Sequence, residues 1–389
     1  MTPTRSILFY TAAAALILIP GCKKSEERSA SEKPAGTVLK VGIVTDVGGR
    51  GDQSFNDSAL RGLELWAAGK KYTGTGYVDT TPAEVKATLP PDLAARTPPI
   101  EKLPGVTPLV LQSRAQEDYE PNLQLLADQG AGLIIGTGFM LENAIEAAAK
   151  RNPDSKFLLI DSPLLDAAGK PFTLPNVRTV VFKEEEGSFL VGAMAGLVSK
   201  DGRVGFVGGM EIPLIKKFEA GFKAGVRTTR PEATVLTAYT GSFNNVAAGK
   251  QVAQDLIAKG ADVVFHAAGS DGLGVIQAVK DARAAGRQVY AIGVDSDQSH
   301  VAPDAVLTSM VKRVDLAVYE TVRDLAAGRF TAGDAAWGLK EGGVTYAPVR
   351  IDFPQRAAVL EKVEDLRRQI IEGSIRVPAT DADLASFKP

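Results

Sequence analysis

Residues 39–57 read LKVGIVTDVGGRGDQSFND. The apolar run Val41, Gly42, Ile43 and Val44 ends in Thr45 and Asp46, and a glycine-bearing loop follows. After Ser54-Phe55-Asn56-Asp57 a helical pattern places Leu60, Leu63 and Ala67 on one face. Strand, loop and helix in this order make the first half of a βαβ unit. In open α/β sheets ligands gather beyond the carboxyl ends of the strands, where this loop lies. A buried strand has no use for the loop's carboxylate, three glycines and aromatic ring. The loop is therefore the first place to look for function.

The same alternation continues along the chain. Strands are expected at 40–45, 108–113, 132–136, 156–160 and 178–182, with helices near 57–69, 119–129 and 141–151. In the second half, strands at 203–208, 233–239, 262–266 and 288–294 alternate with helices near 213–227, 245–259 and 272–285. Pro213 suits the first turn of its helix, where no N–H is needed. Strands separated by helical patterns imply parallel sheets covered on both faces. Two such units in tandem imply two similar lobes. The tail adds a strand at 306–312, a helix at 315–327, a strand at 343–351 and a helix near 355–372. One stretch breaks the rhythm: 70–108 carries seven prolines. Ordered loops of that length are uncommon. The stretch reads as a surface insertion with no role in the core, or alternatively as a lid or partner contact.

Upstream of this body, Arg5 is the only charge before Lys23, and Ser6 to Pro20 form an apolar core shorter than the ~20 residues of a spanning helix. Leu18-Ile19-Pro20-Gly21-Cys22 resembles the lipobox of bacterial lipoproteins, which makes residues 1–21 a signal peptide and Cys22 the lipidated first mature residue. An uncleaved anchor or an ordinary signal peptide are the alternatives. Cys22 is the only cysteine, so no disulfide can form within the chain. Residues 22–36 are charged, Ser-rich and poor in large apolar side chains, as a flexible tether is.

The remaining chain is long enough for two domains. The full chain, 45% apolar and 23% charged, has the composition of a soluble globular protein. A net charge of −2 disfavours nucleic-acid binding, which wants a basic face. Two histidines (His266, His300) and one cysteine leave little for a metal site, and no metal or other cofactor is expected.

Polar, glycine and aromatic residues follow each expected strand: Asp46, Ser113 to Gln116, Gly136-Thr137-Gly138-Phe139 and Asp161-Ser162 in the first half. In the second half they are Gly208-Gly209-Met210, Thr240 to Asn244, Ala268-Gly269-Ser270 and Asp295-Ser296-Asp297. If the lobes face one another, these edges form one cleft. Turn residues recur at such places in any case, but Phe55, Phe139 and Phe243 are harder to explain as turns.

Seven stretches identify a family resemblance. They are VGIVTDVGGRGDQSFNDSALRGL, DYEPNLQLLADQGAGLIIGTGF, FKEEEGSFLVGAMAG, GFVGGMEIPLIKKFEAGFKAGV, AYTGSFNN, AIGVDSDQ and TSMVKRVD. In this order, from about 40 to 352, they resemble the basic membrane protein family of substrate-binding lipoproteins, whose members include purine-nucleoside receptors of ABC importers. Only 70–108 departs from it over any length.

The resemblance implies an α/β fold of two doubly wound parallel-sheet lobes joined by a three-strand hinge, as in type I periplasmic-binding proteins. It places 37–182 plus 305–330 in one lobe and 183–304 plus 340–375 in the other. Phe55 and Phe243 would then stack on the two faces of a purine. Asp46 and Asn56 would bind its polar edges, Asp295 the ribose hydroxyls, and Lys312 would add donors. Gly269 is a weaker candidate, where backbone could approach the ligand. Where the family carries an aspartate after its GxGF loop this chain has Glu142-Asn143. An amide at Asn143 would both donate and accept, and so alter the preferred purine edge. The implied partners are a purine nucleoside, ABC permease and ATPase subunits, and a membrane reached through lipidated Cys22. The expected protein is an exported monomer on the bacterial envelope.

An enzyme is the rival class, with nucleoside cleavage as its reaction. No Ser-His-Asp order or GxSxG elbow is present in the sequence. Gly48-Gly49-Arg50-Gly51 lacks the lysine and spacing of a phosphate loop. Glu184-Glu185-Glu186 suits a helix N-terminus better than a carboxylate site. A binding or sensing lipoprotein for a flavin or sugar is the second alternative.

Overall fold

The computed structural model describes residues 38–89, 94–95 and 97–388. The expected signal segment, Cys22 and the tether lie outside the described residues.

The first sheet begins with β1 (Leu39–Thr45), whose Val41, Ile43 and Val44 are fully buried. Helix α1 (Phe55–Leu60) follows and widens into π-type turns over Arg61–Ala67. Then come β2 (Val106–Gln112), α2 (Tyr119–Asp128), β3 (Leu133–Thr137), α3 (Glu142–Arg151), β4 (Lys156–Ile160) and β5 (Val177–Phe182). The second unit runs α4 (Glu184–Val198), β6 (Arg203–Gly208), α5 (Pro213–Thr229), β7 (Thr234–Tyr239) and α6 (Val246–Ala258). It continues with β8 (Val263–Ala267), α7 (Asp271–Ala284), β9 (Tyr290–Asp295) and β10 (Val306–Lys312). Last come α8 (Val314–Ala326), β11 (Gly333–Trp337), β12 (Val344–Tyr346) and α9 (Arg356–Ile371).

Two six-stranded sheets result, ordered β11-β5-β4-β3-β1-β2 and β7-β6-β8-β9-β10-β12. Every pairing is parallel except β10–β12. The apolar runs of β3, β4, β8 and β9 are buried, as strands covered on both faces should be.

The chain passes between the sheets three times, as expected: from β5 into α4, from β10 into α8, and from β11 to β12. The crossings are tied together, Lys183 N donating to Trp337 O at 3.0 Å and Arg313 N to Gly343 O at 2.8 Å. Two expectations need correction. Residues 306–312 were expected in the first lobe but pair with β9 and β12 in the second sheet. Of residues 305–330 only α8 goes to the first lobe, where the close approach of Gly62 to the Asp315 backbone packs it against the π-type turns. The strand β11, unexpected because GDAAW lacks apolar alternation, extends the first sheet in register with β5 from Gly333↔Arg178 to Trp337↔Phe182.

The 70–108 stretch is also more than a surface appendage. It forms a hairpin (Lys70–Tyr72 with Tyr77–Asp79) and a short helix (Pro82–Ala87) capped by Thr81 and Glu84. Val85, Leu89, Ile100 and Leu103 pack on the core. Trp66 donates to Thr88 Oγ1 at 3.0 Å, and Tyr319 both donates to Glu101 O and accepts from Glu101 N, each at 2.9 Å. Apolar contact and satisfied backbone groups bind this stretch to the first lobe. Pro108 stands within β2, an edge strand whose outer side needs no donor.

Candidate functional site

The carboxyl ends of the strands of both sheets meet in a cavity of about 550 Å3, counting its open mouth. From the first lobe it is lined by Asp46 after β1, Phe55 and Asn56 at the start of α1, Gly138 and Phe139 after β3, and Asp161 after β4. From the second it is lined by Phe243 in the loop after β7, Gly269 and Ser270 after β8, Asp295 at the end of β9 and Lys312 at the end of β10. All expected site residues except Cys22 and Asn143 are thus brought together.

Asn143 is not. It lies on the exposed side of α3 and does not line the cavity. Leu141, Ile145 and Ala148 face the core, and at 3.6 residues per turn that phase turns position 143 outward. Its neighbour Glu142 is committed to Ser162 Oγ and Leu165 N, both at 2.9 Å.

In the β1–α1 loop, Asp46 Oδ1 accepts from Gly48 N and Asn56 Nδ2, both at 2.8 Å. Asp52, missed in the sequence, is the centre of this loop. It accepts from Ser54 N (2.9 Å), Asp57 N (3.0 Å), Asn56 N (2.7 Å) and Asn56 Nδ2 (3.1 Å). These bonds cap α1 and set the angle at which Phe55 and Asn56 enter the cavity. Burial pushes the Asp46 carboxyl up to about 6, and burial with the nearby Asp57 charge pushes Asp52 up to about 7. Gly138, at φ +111°, brings backbone close to both Asp46 and Phe55; a Cβ there would stand 3.3 Å from each. Gly269, at φ +54°, sits beside Phe243, whose carbonyl a Cβ would approach to 3.1 Å. The Phe139 edge meets the Phe243 ring across the cleft at 6.4 Å and 71°.

Lys312 is the electrostatic centre. Its Nζ donates to Asp161 Oδ2 at 2.7 Å and lies 3.7 Å from Glu184 and 3.8 Å from Asp295 Oδ1. The ammonium also stands 4.7 Å from the Phe55 ring centre. Burial disfavours the charged lysine, but the surrounding carboxylates outweigh it and hold its pKa above the ordinary value. Burial raises Asp295, against the opposing effects of Lys312 and of Ser54, whose hydroxyl donates to Oδ2 at 2.5 Å. Ser54 belongs to the first lobe and Asp295 to the second, so this bond joins them. Gln298 Nε2 to Gln53 O (3.2 Å) and Ser296 Oγ to Ser54 O (3.1 Å) do the same, and the lobes stand closed on one another.

Leu214, Ile215 and Phe218 of α5 supply an apolar wall. Of the histidines, His266 is a buried core residue whose Nε2 meets Gln298 Oε1 at 3.0 Å, and burial drives its pKa down to about 4. His300 is exposed, with Nε2 2.9 Å from Gln53 Oε1.

Two doubly wound lobes, three crossings and a polar-aromatic cleft between facing strand ends define a solute-binding protein of the type I periplasmic class. A solved solute-binding protein of an ABC transporter system from Aeropyrum pernix K1 shares the fold with a TM-score of 0.71 and 27% identity, over 90% of this chain and 96% of that one. The family model for PnrA-like ABC transporter substrate-binding proteins (Bmp) matches residues 39–381, and the chain belongs to this family. An ABC transporter nucleoside-binding protein BmpA from Lactococcus lactis is 31% identical, covering 95% of this chain and 97% of its own. A CD4+ T-cell-stimulating antigen from Listeria innocua is 33% identical, over 93% and 94%.

Proposed function

We propose that this chain is the extracytoplasmic, lipid-anchored receptor of an ABC importer and that it binds a purine nucleoside without changing it. One observation carries the ligand: Phe55 and Phe243, from opposite lobes, line one cavity together with fixed acceptors and a buried ammonium. A flat heterocycle stacks on such rings. Asp46 and Asn56 meet its polar edges, while Asp295 and Lys312 take the sugar. The nucleoside-binding relative from Lactococcus lactis supports the same reading. The importer's permease and ATPase subunits are the protein partners, and Cys22 carries the lipid.

Titration calorimetry of the ligand-stripped body with adenosine, guanosine and inosine, against ribose and riboflavin, tests the ligand. Micromolar or tighter binding of a purine nucleoside is expected; binding of only the sugar or the flavin removes the reading. Chromatography of the incubated nucleoside distinguishes a receptor from a cleaving enzyme, because release of free base refutes the former. Replacing Cys22 by serine should move the protein from the membrane fraction to the soluble one.

A further inference from the structure

Among the described residues only four non-glycine positions have positive φ: Gln53, Asp161, Asp295 and Gln355. The two aspartates are related by the architecture. Asp161 follows β4, the fourth strand of the first lobe, and Asp295 ends β9, the fourth strand of the second. Their φ values are +72° and +61°. Both line the cavity, and both point a carboxylate oxygen at Lys312. Left-handed backbone at non-glycine residues is costly and gathers at functional sites.

Asp161 Oδ2 is bonded to Lys312, but Oδ1 is buried without any hydrogen-bond partner. Oε1 of Glu184, 3.7 Å from the same ammonium, is in the same position, but of the two carboxylates only Asp161 lines the cavity. An ionised carboxylate only accepts, and one oxygen without a donor in a buried place is costly. The missing group must donate to Asp161 while lying beside an ammonium, which itself needs acceptors. A hydroxyl does both; an amide N–H or a ligand cation does not. A phosphate does the opposite, presenting acceptor oxygens to carboxylates.

We propose that Asp161 is a ligand-binding residue, the first lobe's counterpart of Asp295, and that the two carboxylates with Lys312 between them form a subsite for the vicinal hydroxyls of a sugar. This rests on the nucleoside reading and adds to it a contact from the first lobe to the sugar. Each lobe then holds the sugar as well as the base. Specificity for a hydroxylated sugar follows, because a deoxy analogue leaves buried acceptors unmatched.

The test compares adenosine and inosine with their 2′,3′-dideoxy analogues by calorimetry, in the native protein, Asp161→Asn and Asp161→Gly. Asparagine tolerates the left-handed backbone and keeps an oxygen for Lys312. Glycine removes the side chain and fits φ +72° without strain, so one variant folds even where the other is destabilised. The native protein should prefer the hydroxylated ligand at least 100-fold, and each variant should shrink that preference at least tenfold. A preference unchanged within twofold overturns the proposal. That holds also when affinity for both ligands falls equally, since Asp161 would then act only by positioning Lys312. A native protein that binds no nucleoside at all removes the nucleoside reading instead.

Discussion

Replacing Phe55 or Phe243 by alanine removes one wall of the proposed base slot. Stacking on an aromatic side chain is worth ~1–3 kcal/mol per base. At 1.4 kcal/mol per decade this is roughly 5- to 150-fold in affinity. The structure places both rings in the upper part of that range, because neither is free to swing away. Phe243 is held by the Phe139 edge, and Phe55 lies between the Lys312 ammonium and the Gly138 backbone. Little ordering entropy remains to be lost on binding, so each change should weaken adenosine binding at least tenfold. Both rings are only partly buried, unlike Phe206 or Phe222, so the unliganded protein should lose less than the ~3–5 kcal/mol of a core Phe→Ala. Calorimetry with adenosine and with free adenine separates the effects: a base clamp lowers both affinities by similar factors. Unchanged affinity in both variants refutes the clamp. A loss for adenosine but not for adenine places the rings against the sugar.

The Asp46 carboxyl, held near 6 against an ordinary 3.8, binds more protons folded than unfolded between these values. Its contribution therefore makes the protein more stable as pH falls from about 7 to about 4, by up to ~3 kcal/mol at ~1.4 kcal/mol per pKa unit. Urea melts of the unliganded native protein and Asp46→Asn at pH 7.5 and 4.5 should show about 2 kcal/mol of it, since pH 4.5 is still above the unfolded value. Nucleoside affinity, for which the proposed site uses the ionised acceptor, should fall below about pH 6. Tyr319→Phe strips Glu101 of both backbone partners; it should cost about 1–3 kcal/mol in urea unfolding and leave nucleoside affinity within twofold, because Tyr319 lines no part of the cavity. Lys312→Met leaves Asp161, Asp295 and Glu184 facing one another, a loss of ~3–5 kcal/mol at pH 8. That loss should shrink as pH falls, because burial raises both Asp295 and Glu184 and so favours their neutral forms.

Local periodicity carries most of the fold. The helices from Pro213 to Ala284 and the strands between them appear within two residues of where the pattern sets them, because each is read from its own apolar face. Pairing partners are a different matter. The run Val306–Lys312 is a strand by any reading, yet nothing within it says which sheet it joins; that depends on contacts to β9 and β12. β11 is a strand only because β5 offers an edge to it. The site divides in the same way. Asp46, Phe55, Asn56, Phe243, Gly269, Asp295 and Lys312 sit at strand ends, in loops or at a helix start, where motif and topology agree. Asn143 went astray because its place depended on the phase of a helix whose first turn is tight and wide-angled at Phe139–Leu141. Asp52 and Asp161 look like ordinary turn residues in the sequence, and only their bonding partners set them apart.

Closure of the two lobes sets like charges against each other. Asp161 comes with the first sheet and Asp295 with the second, and one ammonium stands between them. Lys312 itself ends β10 immediately before the crossing into α8, while Glu184 starts α4 immediately after the crossing from β5. Lys312 and Glu184 are therefore mounted beside the crossings, while Asp161 and Asp295 ride on the two sheets, so the approach of the lobes sets the spacing of these charges. Direct bonds such as Ser54 to Asp295 favour the closed arrangement, and the surplus of buried carboxylate opposes it. A ligand that supplies hydroxyl donors to that surplus relieves the cost only when both lobes reach it. Its differential affinity for the closed form is then the free energy that drives closure. A flat base without the sugar would fill the aromatic slot and leave the carboxylates unmatched, so it should bind yet close the lobes less completely.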